Sequence, residues 1–316
     1  MRGRTPRALA GAAAAAALAL AALMSGTVGT AHADPPCFGA ASRDAAHPCR
    51  NPSLRYSVVP APDDALVTTD IVCEPIDRLT CSFGVPADRA TAVMALVGDS
   101  HAGHWRSAVD VMAKELGWSA VMLHEPGCSF ARVTPVLPRW KVTECREWNQ
   151  AATGWLADHP QVSTVLMSNR QFKPVTRPGQ SRQAANVAGI LAAWSHLPAS
   201  VQHIIVLRDD PFTTESTLPC VERAMAKRRD AGVTCARSRK RALRSDPYLV
   251  AARKLQSPRV QVVDLSPFFC SARLCYPVVG GALVYKDSWD HLTQVFARTL
   301  GPYLLDRVQR LMRTWT

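Results

Sequence analysis

The chain has 316 residues, a formal net charge of +12 at pH 7, 47% hydrophobic residues and ten cysteines. That length and apolar content suit one large domain, or a domain with a short appendage. The absence of paired Cys-x-x-Cys spacing argues against a zinc framework, and no zinc finger, aromatic-interleaved basic motif or recognition-helix pattern argues for nucleic acid as a partner.

Residues 1–33 read as a secretory signal peptide: Arg2, Arg4 and Arg7 precede a long Ala/Leu run, and Ala31-His32-Ala33 is a small-x-small cleavage site. Alanine is only weakly hydrophobic, which disfavours an uncleaved membrane anchor, and no later run is long and apolar enough to span a bilayer. The expected mature chain is Asp34 to Thr316, carries a charge of +9 and lies outside the cytoplasm, secreted or in the cell envelope. All ten cysteines follow the cleavage site, as expected for disulfides in an exported protein. Their spacing invites nearest-neighbour pairing: 37–49, 73–81, 128–145, 220–235 and 270–275.

Residues 34–89 are rich in Pro and Asp, contain four of the cysteines and have little periodicity, so they read as an irregular, disulfide-tied lead-in to a domain over 90–316. Within that domain Val93–Val97, Ala120–Leu123, Val162–Met167, His203–Leu207 and Val260–Val263 are strand candidates, short and apolar on both sides, as buried parallel strands are. Helix candidates lie between them, at about 103–116, 143–158, 182–196 and 247–254, with a last one from Leu292 in which Gly301-Pro302 predicts a kink or break. The alternation implies an α/β fold with an open parallel sheet covered on both faces.

In such sheets functional groups gather beyond the carboxyl ends of the strands. "LVGDSHAGHW", residues 96–105, places Ser100 there, either as the cap of the following helix or as a nucleophile in need of a base. "VYKDSWDHLT", residues 284–293, offers that base in His291, with Asp287 and Asp290 as candidates to orient it. With these two blocks near opposite ends of the domain, the chain resembles the SGNH hydrolase superfamily. More narrowly, it resembles the SGNH domain fused to membrane acyltransferases that O-acylate bacterial envelope polysaccharides.

The resemblance implies a three-layer α/β/α architecture with a mostly parallel, flavodoxin-like five-stranded sheet, Ser100 as nucleophile and His291 as general base. The family places the aspartate three residues before the histidine. Ser288 occupies that position, and the reading favours Asp287, four residues before, over Asp290. For the oxyanion hole the resemblance implies the Ser100 N–H, Asn169 in "MSNRQF" and Gly127 in "EPGCSF"; Gly127 is equally readable as a turn glycine beside Cys128, and Asn169 as a turn residue.

His101 and His104 have metal-ligand spacing but no evident carboxylate neighbour, so neither a metal nor a cofactor is expected. Asp209-Asp210 reads as a turn before Pro211. Trp105, Trp140, Trp148 and Trp289 read as core or as a sugar platform, with Trp289 set apart by its place in the base-bearing loop. The basic stretch Arg223–Arg244 reads as a solvated surface, or as an attractor of an anionic envelope glycan or teichoic-type phosphate polymer.

The expectation is a serine esterase or O-acyltransferase acting on O-acyl groups, acetyl foremost, of envelope glycans. No multi-span segment is evident, so a transferase would draw its acyl group from a separate membrane acyltransferase or a soluble compound. The alternative is a non-catalytic glycan-binding module, for which the unusual Asp-to-His spacing is the best support.

Overall fold

The computed structural model describes residues 34–66, 74–75, 77, 79–170, 175–176 and 179–315. The expected signal peptide and Cys73 of the expected 73–81 bridge lie outside the described residues. Pro35–Thr316 forms one compact unit.

Its centre is a seven-stranded sheet. The strands are β1 (Glu74–Pro75), β2 (Thr80–Gly84), β3 (Ala92–Gly98), β4 (Trp118–His124), β5 (Val162–Ser168), β6 (His203–Leu207) and β7 (Val260–Val263), in spatial order β1-β2-β4-β3-β5-β6-β7. β3 to β7 are the five predicted strands and pair in parallel, while β2 joins β4 antiparallel. The parallel part has the flavodoxin-like order 2-1-3-4-5, whose topological switch lies between β3 and β5. The lead-in therefore does more than precede the domain: its β1–β2 hairpin extends the sheet beyond β4.

Among the described residues there are six helices of eight or more residues: α1 (Ser100–Leu116), α2 (Arg139–Asp158), α3 (Arg182–Ser195), α4 (Thr217–Ala226), α5 (Pro247–Leu255) and α6 (Gln294–Met312). All but α4, which packs in a separate small cluster with Ala65 and Leu283, cover the sheet. Side chains alternate across each strand, and the two faces have separate cores. Met94 and Leu96 of β3 pack with Trp105, Met112, Phe296 and Leu300 under α1 and α6, whereas Ala95 and Val97 pack with Trp148, Ile190 and Leu249 under α2, α3 and α5. The result is a three-layer α/β/α domain.

Disulfides join Cys37–Cys49, Cys128–Cys145, Cys220–Cys235 and Cys270–Cys275, as the spacing predicts. The predicted break at Gly301-Pro302 does not occur, because α6 runs through both residues. Proline removes one backbone donor, but Gly301 is buried against Val111 of α1 and the tight helix pair keeps the segment helical through the gap. A Cβ on Gly301 would fall 2.5 Å from the Val111 Cβ. Gly301→Ala is therefore expected to cost about 1–3 kcal/mol by overpacking, measured as a lower urea midpoint; an unchanged midpoint would mean that α1 and α6 can separate freely.

Candidate active site

The site begins where β3 runs out. Gly98 stands opposite Ser168 of β5, with φ +153°, and a Cβ there would lie 1.8 Å from the Ser168 carbonyl oxygen, so no other residue fits this corner. Asp99, fully buried, caps α1: its Oδ1 accepts the His101 N–H at 3.0 Å, and its two carboxylate oxygens accept the Arg170 N–H at 3.1 and 3.2 Å. The capping role open to Ser100 thus belongs to Asp99. Ser100 is the first helical residue, half-buried, and among the described residues its hydroxyl makes no hydrogen bond. Its backbone N–H is one of the unpaired donors of a helix start.

Ser100 and His291 line one cavity of about 250 Å³, together with Gly103, His104, His124 and Lys286. The structure therefore brings together residues from opposite ends of the domain. His291 Nδ1 lies 2.6 Å from Asp287 Oδ2. A carboxylate can only accept, so Nδ1 carries a proton, and in the neutral ring it is Nε2 that keeps the lone pair. Asp287 Oδ1 accepts the N–H groups of Trp289 at 2.9 Å and His291 at 3.2 Å. Burial opposes ionisation of Asp287, but the His291 hydrogen bond and charge and these two backbone donors outweigh it and hold its carboxyl below the ordinary value.

The four-residue spacing works because 287–291 is a loop, not the first turn of a helix. The loop is closed by the Lys286 N–H donating to the His291 carbonyl at 2.8 Å, and α6 starts later, capped by Thr293. Asp290 points elsewhere. With φ +71° it turns its buried carboxylate to the Thr213 N–H at 2.6 Å and to Arg170 Nη2 at 2.9 Å.

Asn169, buried just past β5, accepts the Phe130 N–H on Oδ1 at 2.8 Å; its Nδ2 has no partner among the described residues. It is fastened to the Ser100 corner through the next residue, whose N–H is held by Asp99. Gly127 is not brought to the Ser100 cavity. With φ +83° it serves a turn closed by the Cys128 N–H donating to the Glu125 carbonyl at 3.0 Å, and it lines a separate cavity of about 500 Å³ beside Cys145.

The turn reading of Asp209-Asp210 misses a network behind the site. His101, fully buried, donates from Nδ1 to Asp209 Oδ1 at 2.6 Å and from Nε2 to the Trp289 carbonyl at 3.1 Å. With an acceptor at each nitrogen the ring is an imidazolium: burial works against the charge, but Asp209 and Asp210 outweigh it and raise the pKa well above the ordinary value. His104 behaves oppositely, pushed far down by burial and then by the charges of His101, His291 and Lys286. Asp210 Oδ1 lies 3.4 Å from both His101 Nδ1 and His104 Nε2. Asp246, which caps α5 and accepts the Asp209 N–H at 3.1 Å, is raised to about 7 by burial and the Asp209 charge.

The carboxylates that the histidine pair lacks in sequence are thus present in space, and potential ligand atoms of His101, His104, Asp209 and Asp210 lie within 4.8 Å of one another. The 2.6 Å His101–Asp209 contact is nevertheless shorter than the roughly 3.3 Å between two ligands of a tetrahedral zinc ion, so the set is held by hydrogen bonds rather than spaced as a metal cage. Of the tryptophans, Trp105 and Trp148 are core, whereas Trp140 and Trp289 are exposed.

A family model described as the SGNH domain (fused to AT3 domains) matches residues 65–306. No curated protein matches. Among solved structures, the periplasmic domain of a lipopolysaccharide acetyltransferase from Salmonella ser. Paratyphi A has a similar fold, with a TM-score of 0.54 at 12% identity over 72% of this chain and 90% of that one.

Proposed function

Since the chain belongs to the family of SGNH domains that are fused to AT3 domains, we propose that it is an extracytoplasmic serine esterase or O-acyltransferase acting on O-acyl groups, acetyl foremost, of envelope glycans. The observation that carries this reading is the 2.6 Å Asp287–His291 hydrogen bond beside a serine with an uncommitted hydroxyl in the same cavity. The lipopolysaccharide acetyltransferase domain of similar fold supports the acyl-glycan assignment. The four bridged cysteine pairs support the extracytoplasmic one. The best support for the binding-module alternative was the Asp-to-His spacing, and the Asp287–His291 hydrogen bond favours the enzyme reading over it.

In this mechanism Ser100 Oγ attacks the acyl carbonyl carbon while His291 Nε2 takes its proton. The developing oxyanion is held by the Ser100 N–H and Asn169 Nδ2. The tetrahedral intermediate collapses to an acyl-serine as the C–O bond to the leaving alcohol breaks, and that alcohol receives the proton from His291. Water or a glycan hydroxyl then gives its proton to His291 and attacks the acyl-serine; the acyl–Oγ bond breaks and His291 returns the proton to Ser100. Asp287 keeps Nδ1 protonated and balances the imidazolium at each step. For transfer, the proposed donor side is a separate membrane acyltransferase or a soluble acyl compound.

Incubation with an activated acetyl ester and a serine-directed phosphonate tests the reading: turnover, and phosphonate mass on the Ser100 peptide, are expected. A chain that neither turns over nor labels Ser100 would end it. Asn169→Ala is expected to lower kcat about 10²–10³-fold with KM little changed, the signature of one lost oxyanion donor. An unchanged kcat would remove Asn169 from the site.

A further inference from the structure

The base-bearing loop exposes a tryptophan that the acyl-transfer steps do not use. Trp289 is 62% exposed, yet its peptide is fixed on both sides: its N–H donates to Asp287 and its carbonyl accepts from His101. An indole held out in water on a fixed backbone, two residues from the general base, is a ready stacking surface.

Other groups continue the line away from the loop. The Arg170 guanidinium carbon lies 5.2 Å from the centroid of the Trp289 ring and 5.5 Å from that of Phe212, and the Arg170–Asp290 ion pair orients it. On Phe212 rests Arg244, 4.5 Å from the ring centroid. Arg244 in turn lines an open surface pocket of about 650 Å³ whose other lining residues are Arg237, Ser238, Lys240 and Arg241. Arg237 is locked there by two 2.7 Å hydrogen bonds to the carbonyls of Phe212 and Thr213.

The two ends of this line differ in charge. Near Trp289, Arg170 is neutralised by Asp290 and acts as a stacking plate. At the far end, four of the five lining residues are cations and none is acidic, a lining that favours an anionic group over a neutral one. Guanidinium groups bind carboxylate and phosphate oxygens in pairs.

We propose that the line Trp289–Arg170–Phe212–Arg244 is a glycan-binding track that selects anionic polymers, stacking a sugar ring on Trp289 beside Ser100 and holding a carboxylate or phosphate of the same chain in the Arg237–Arg244 pocket. The inference rests on the reading of Ser100 as a glycan-directed nucleophile and adds to it the charge class of the glycan.

The test uses the full chain carrying Ser100→Ala, titrated by calorimetry with four probes: oligogalacturonate, a glycerol-phosphate oligomer, neutral maltoheptaose and oligodeoxythymidylate. At least one of the two anionic probes that are not nucleic acid is expected to bind ten times or more tighter than maltoheptaose, and which of them binds separates carboxylate from phosphate recognition. Lys240→Glu with Arg244→Glu is expected to weaken that binding at least tenfold and Trp289→Ala several-fold, with circular dichroism and thermal midpoint serving as folding controls. Equal binding of maltoheptaose, binding of oligodeoxythymidylate as tight as that of the anionic glycans, or affinities indifferent to these variants would overturn the track. Ester turnover by the unmodified chain is read separately. Turnover without anionic binding removes the track alone, and anionic binding without turnover removes the enzyme reading.

Discussion

Asp287→Ala is expected to lower kcat for an activated acetyl ester by about 10⁴-fold, whereas Asp290→Ala is expected to leave kcat within a few-fold of the unmodified chain and to lower stability instead. The difference follows from where each carboxylate points. Asp287 holds His291 through Nδ1 and, through Oδ1, fixes the loop that carries it, so its loss releases both the tautomer and the ring position. Asp290 touches Arg170 and the Thr213 N–H, so its removal strands a half-buried guanidinium and a buried amide, at about 1–3 kcal/mol. Initial-rate kinetics and urea melts on the two variants read the two effects separately. The reverse pattern, full turnover in Asp287→Ala and a collapse in Asp290→Ala with an intact fold, would exchange their roles. Because the Asp287 carboxyl is held below its ordinary value, its contribution is complete at neutral pH and disappears only as pH falls through that lowered value.

The features legible in the sequence are those set by local chemistry. β3 to β7 announce themselves because each is a short apolar run too hydrophobic for a solvated edge, and the Ser100 corner because Gly98 leaves no room for a side chain beside Ser168. Short-range signals mislead where a tertiary contact overrides them. Pro302 reads as a helix breaker until the Gly301–Val111 packing is seen, and the place of β1–β2 in the sheet is set only when β4 supplies a partner strand. Asp287 was legible as a candidate only with Asp290 as its rival, because a loop, not a helical period, sets its distance to His291. The His101 network was not legible at all. Its partners, Asp209 and Trp289, lie 108 and 188 residues away, and no local pattern marks an Asp-Asp-Pro turn as the counter-charge of a buried histidine.

That network gives the second large effect: His101→Ala costs about 3–5 kcal/mol of stability at pH 7, the range for removing one member of a buried ion pair. The imidazolium satisfies Asp209, faces Asp210 and braces the base-bearing loop through the Trp289 carbonyl, so its loss leaves two adjacent buried carboxylates without their cation. The sign of the pH dependence separates this charge effect from lost packing. His101 has a raised pKa in the folded chain, so its stabilisation is complete below the ordinary histidine value of about 6.5 and is lost as pH rises through the raised value. Relative to the unmodified chain, the cost of His101→Ala is therefore expected to be largest at and below about pH 6.5 and to shrink as pH rises through the raised His101 value, and Asp209→Asn in the same chain is expected to restore part of the loss at pH 7. Urea melts across that range decide between the two: a cost that stays constant with pH and is untouched by Asp209→Asn would make His101 a packing residue. A cost that shrinks as pH rises above about 6.5 and on neutralising Asp209 makes it the cation around which the β6 end and the His291 loop are assembled.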